Sequence, residues 1–197
     1  MSSLFGGLLE QIGGGNLEAL SSQLGTDPGT TQKAAGAAIP LLMAALARNA
    51  SKPEGATALH GALARDHDGS VLDNLSGFLA SPDTKTGDGI LGHVLGARRG
   101  SVEQGVAQAG GINPAAASKM LSILAPMVLG ALGKQQRAQN LDAASLGKML
   151  TNENSVAEKA APGLGALTRL LDADGDGSIT DDLTKLGRNA LGGLFRG

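Results

Sequence analysis

Three aspartates at alternating positions, Asp172, Asp174 and Asp176, are followed by Gly177, Ser178, Ile179 and Thr180. Carboxylates at this spacing converge on one hard cation when the chain turns sharply at the glycine, and calcium is the ion they suit. Ser178 would add its backbone carbonyl, Thr180 sits where a water often bridges, and Asp181 and Asp182 extend the acidic set. A shorter version stands 108 residues earlier as Asp66-His67-Asp68-Gly69-Ser70, with Ala64 and Arg65 in place of the first carboxylate. The same residues also suit helix capping. Ser178 with Asp181, and Ser70 with Asp73, have capping-box spacing. Acidic residues at a helix N-terminus contribute ~0.3–1 kcal/mol each without any metal. Capping accounts for what the two loops share, whereas Asp172 is accounted for only by a metal.

Other chemistry is sparse. The imidazoles are His60, His67 and His93, none in a His-x-x-x-His or Glu-x-x-His spacing, so zinc catalysis has no support. The chain has no Cys, which removes disulfides, thiol catalysis and Cys-ligated metals. Neither a Gly-x-Ser-x-Gly elbow nor a phosphate loop ending in Lys-Ser/Thr occurs, so the expectation is a non-enzymatic protein. Residues 106–124 faintly imitate a DNA-binding helix-turn-helix, and 90–137 carries Arg98, Arg99, Lys119, Lys134 and Arg137 against Glu103. Readers of base edges present long polar side chains. This helix offers Ala115, Ala116 and Ala117 and then an apolar run, so a buried hairpin fits it better and nucleic acid is the secondary reading.

These residues must be carried by helices. The chain has 197 residues with 42% hydrophobic ones, yet its aromatics are only Phe5, Phe78 and Phe195, and 31 residues are Gly. Small and aliphatic side chains suit closely packed helices, while strands would need β-branched and aromatic runs. The longest uncharged apolar stretches, 34–47 and 120–133, are 14 residues each, short of the ~20 a membrane span needs. A net charge of −2 gives no global attraction to nucleic acid or anionic membrane. The start of the chain lacks the basic and apolar runs of a signal peptide, and the expected location is the cytoplasm.

Shifting the chain by 86 residues lays 4–46 on 90–132 without a gap, matching Gly14 with Gly100, Gly25 with Gly111, Asp27-Pro28 with Asn113-Pro114 and Pro40 with Pro126. Asp27 and Asn113 are N-caps, each followed by Pro at the first helical position. A long apolar helix then runs to about Arg48 or Lys134, with a proline kink inside. The predicted architecture is an all-α helical bundle, a tandem duplication of a multi-helix unit. The first unit covers 1–81, a linker 82–89, and the second unit 90–197, including the acidic loop and a final helix.

The tandem pattern resembles the YidB-like bacterial family of unknown function, through Gly-Asp-Gly-Ile-Leu-Gly-His at 87–93, Asn113-Pro114 and both Asp-Gly-Ser loops. That resemblance implies a helical bacterial protein and carries no activity over. The loop from Asp172 resembles the opening of an EF-hand or dockerin-like calcium loop, with Ile179 at its apolar eighth position. It departs at the twelfth, where Leu183 replaces the bidentate Glu. The functional expectation is a binding or scaffold protein, calcium-loaded at 172–182, with a protein partner or a second copy of itself. The alternative is a DNA-associated protein using the basic second unit.

Overall fold

A computed structural model describes residues 4–160. The described residues form helices and connections with no strand. In chain order these are α1 (Leu4–Ile12), α2 (Gly15–Leu24), α3 (Pro28–Ala50), α4 (Pro53–Asp66), α5 (Ser70–Asp73), α6 (Leu75–Ala80) and α7 (Thr84–Leu95). A 3-10 turn (Gly96–Arg98) then leads to α8 (Arg99–Gly110), α9 (Pro114–Gln139) and α10 (Ala143–Ala160).

Both long helices start as expected. Asp27 accepts the Thr30 N–H at 2.9 Å and Asn113 accepts the Ala116 N–H at 2.8 Å. The two caps have nearly the same backbone, φ −77° and ψ 158° against φ −76° and ψ 158°. Left-handed Gly25 (φ 66°) and Gly111 (φ 70°) end the helices just before them. Neither Pro40 nor Pro126 ends its helix.

Most of the segment 82–89 is helical, because α7 begins at Thr84, where Asp83 accepts the Thr86 N–H (3.1 Å) and hydroxyl (2.6 Å). The gapless shift of 86 is not followed in space at α1 and α7. The buried pair Leu8 and Ile12 of α1 has the same spacing as buried Leu91 and Leu95 of α7, 83 residues on. Gly14 (φ 61°, ψ −136°) shares its conformation with Gly96 (φ 54°, ψ −130°) rather than with Gly100. The matching residues in sequence and the matching turns in space therefore part company before Gly111.

The core is single and draws on both halves. Buried Leu20, Ile39, Leu42, Met43 and Leu63 pack in one cluster with Leu91, Met120, Leu124, Met127 and Leu146. The α3 helix lies against α8, α9 and α10, so its apolar surface is covered mainly by later parts of the chain. By length and composition α9 could cross a membrane, yet 78% of its apolar window is buried among the other helices.

One contact shows how closely they approach. Pro126 has no N–H to give the Ser122 carbonyl four residues back. Gly87 of α7 sits on that carbonyl, where a Cβ would lie only 1.8 Å from the oxygen. An α-carbon hydrogen can face an oxygen left without its helical partner.

Candidate functional site

Beside this junction Arg99 joins α7, α8 and α9. It donates from Nη2 to Asp88 (2.6 Å) and from Nε to Glu103 (2.7 Å), and Ser122 donates its hydroxyl to Asp88 at 2.6 Å. Hydrogen bonds from Ser122 and then Arg99 hold the Asp88 carboxyl below its usual range. Arg99, chiefly through Glu103, is raised above its ordinary value.

The first acidic loop is described, and its role is capping. Asp68 accepts the Ser70 N–H at 2.9 Å, and hydrogen bonds from Ser70 lower its pKa. The cap of α5 thus comes from Asp68, correcting the expected box of Ser70 with Asp73, for Gly69 is the N-cap residue and no side chain caps from it. Lys134 pairs with Asp73 and Arg137 donates to the Asp68 carbonyl, so α9 holds the loop with cations. Among the described residues no three His, Asp or Glu side chains are grouped to hold a metal. The expected metal ligands Asp172, Asp174, Asp176, Ser178, Thr180, Asp181 and Asp182 lie outside the described residues.

The residues suspected of reading DNA separate. Residues 120–130 of α9 are buried in the core, while Pro114, Ala115, Lys119 and Lys134 are exposed. Lys119 donates to the Gln23 carbonyl at 2.6 Å, and Arg99 is held in its network. Arg98, its neighbour in sequence, points elsewhere.

Arg98 lines a cleft of about 790 Å³ where the end of α3 meets α4 and α7 over α9. Buried Leu46 and Leu129 contribute to its lining, with half-buried Leu59, Ala62, Ile90 and Val94. Helical spacing aligns these side chains: 55, 58, 59 and 62 share one face of α4, and 90, 93 and 94 share one face of α7. The polar lining includes Arg48, Lys52, Arg98, His67 and His93, with Glu54 as its carboxylate.

Two details shape the cleft. Asn49 donates its side-chain amide to the Val94 carbonyl at 2.9 Å, tying the end of α3 to α7. Gly55 lets α4 start against α3, since a Cβ there would lie 2.0 Å from the Asn49 carbonyl oxygen. Ser51 donates its hydroxyl to the Arg48 carbonyl at 2.7 Å and so serves as a helix cap. Burial lowers the His67 pKa, partly opposed by Asp66. His60 has a different post, with Nε2 at 3.1 Å from the Leu141 carbonyl.

Sequence reasoning singled out His67 and His93 separately and passed over Lys52 and Asn49. No local spacing links them, because α3, α4, α7 and the 3-10 turn each bring a part.

A family model described as a bacterial protein of unknown function (DUF937) matches residues 7–135. No curated protein and no solved structure matches the chain.

Proposed function

The chain belongs to the DUF937 family of bacterial proteins of unknown function, and on that premise we propose that it is a non-enzymatic binding protein whose ligand occupies the cleft between α3, α4 and α7. The carrying observation is the cleft itself. It has the size of a small-molecule site, and its lining is half apolar and half polar or charged, supplied by several helices. All of its lining residues fall within the span that the family model matches. The matching caps and turns of α3 and α9 favour descent from a duplicated helical unit, with the cleft assembled from both units rather than repeated in each.

The test uses Nile red, a neutral dye that brightens in apolar surroundings. Wild type should enhance its fluorescence saturably, and Ala62→Trp, which fills the cleft from α4, should remove the enhancement while leaving the helical circular dichroism intact. Equal enhancement in both proteins would remove the cleft as the site.

The spacing of Asp172, Asp174 and Asp176 favours a second, independent reading, a calcium ion in the loop at 172–182. With Leu183 in place of the twelfth-position Glu, the affinity should be weaker than that of a complete loop. Calcorimetric titration of calcium should give heat with wild type that disappears in Asp174→Ala and Asp176→Ala; equal heats in all three would end this reading.

A further inference from the structure

Resting on the cleft as the binding site, we infer that its ligand is a free, single-chain amphipathic anion, an apolar tail ending in a carboxylate or phosphate. The tail chemistry follows from the side chains that the helices turn inward. Leu46, Leu59, Ile90, Val94 and Leu129 carry no polar atom to satisfy a hydrophilic ligand. The head chemistry follows from charge. Arg48, Lys52 and Arg98 face the cleft against the single carboxylate of Glu54.

Two of these cations differ from most bases nearby. Arg99, Lys119, Lys134 and Arg137 all have intramolecular partners. Lys52 and Arg98 form no ion pair among the described residues, although Arg98 is half-buried. A half-buried guanidinium beside apolar side chains favours a carboxylate or phosphate, which it can bind through two parallel hydrogen bonds. The start of α4, lining the cleft at Lys52, Glu54 and Gly55, adds the positive end of its helix dipole. Burial keeps His67 towards its neutral form, so this imidazole can sit beside the tail without adding a desolvated charge. A cationic amphiphile would instead oppose Lys52 and Arg98, and a neutral one would leave these two unused.

Isothermal titration with four ten-carbon probes separates these cases: decanoate, decyl phosphate, decanol and decyltrimethylammonium, each below its micelle concentration. At least one of the two anions should bind saturably at one site, and comparing them distinguishes a carboxylate head from a phosphate. The Lys52→Ala/Arg98→Ala double variant should bind that anion about tenfold more weakly or worse, with an unchanged thermal midpoint. Ala62→Trp should abolish anion binding. The inference is overturned if decyltrimethylammonium binds as tightly as the anions, if the double variant keeps wild-type affinity, or if anionic phospholipid vesicles retain the protein while decanoate and decyl phosphate do not bind. Nile red binding that Ala62→Trp removes, with neither anion bound, leaves the cleft as a site and refutes the ligand class. No cleft-dependent signal from any probe refutes the cleft itself.

Discussion

Gly87 and Gly89 stand two residues apart in α7 and answer to opposite physics. A Cβ on Gly87 would meet the Ser122 carbonyl at 1.8 Å, while one on Gly89 would meet nothing within 4 Å. Gly87→Ala should therefore destabilise by about 3 kcal/mol or more, because two helix backbones must separate. Gly89→Ala should stabilise by roughly 0.5–1 kcal/mol through helix propensity. Urea unfolding midpoints of the two variants decide, and equal midpoints would contradict this packing. Gln136 gives a second single-residue case, buried with its carbonyl oxygen unpartnered among the described residues. Gln136→Met should raise stability by about 1 kcal/mol, since it removes that desolvated acceptor at similar volume. Titration adds a third. Asp27, Asp68, Asp83 and Asp142 are lowered by hydrogen bonds at helix starts. Their stabilisation is complete above the unfolded value near 3.8 and is lost as pH falls through the lower folded values. His67 is also lowered, so the unfolded chain takes up its proton first and stability already declines as pH falls below 6.5. Thermal midpoints against pH should show both losses, and His67→Gln should remove only the upper one.

At the scale of elements, caps were the readable part. Asp27 and Asn113 announce α3 and α9 because a capping side chain, a following Pro and an apolar run all lie within a few residues. Asn113→Ala should cost about 1 kcal/mol, measurable by the same urea midpoint. The start of α7 was hidden because Asp83-Thr84-Lys85-Thr86 reads as a polar turn, and its capping role shows only when Asp83 accepts two hydrogen bonds from Thr86. The first acidic loop was recognisable as a cap, but which residue supplies the cap depended on the left-handed φ of Gly69. Arg98 and Arg99 show the limit most sharply. Adjacent in sequence, Arg98 ends the 3-10 turn and lines the cleft, while Arg99 opens α8 and joins the network with Asp88 and Glu103. Arg99→Ala should lower stability by about 1 kcal/mol, a modest figure because the pair is partly solvated, whereas Arg98→Ala should leave stability unchanged.

For the whole molecule, composition and the apolar runs were enough to indicate an all-α bundle, because small aliphatic side chains with many glycines have few other uses. They could not indicate that the halves share one core. Covering α3 with α8, α9 and α10 is a long-range fact that no window of sequence contains. The cleft inherits this illegibility, since it exists only where α3 and α4 meet α7 and α9. A fragment spanning 1–81 should accordingly remain unfolded, with poorly dispersed amide resonances, while the full chain unfolds in one cooperative transition. A well-dispersed spectrum from the fragment would contradict the shared core.

This interleaving also sets a timetable for synthesis. Once α3 leaves the ribosome its apolar side is not fully covered until α10 has followed, about 110 residues later. At about 5–20 residues per second that is a wait of roughly 5–20 s, during which a sticky nascent helix is open to chaperones or to its neighbours on the same message.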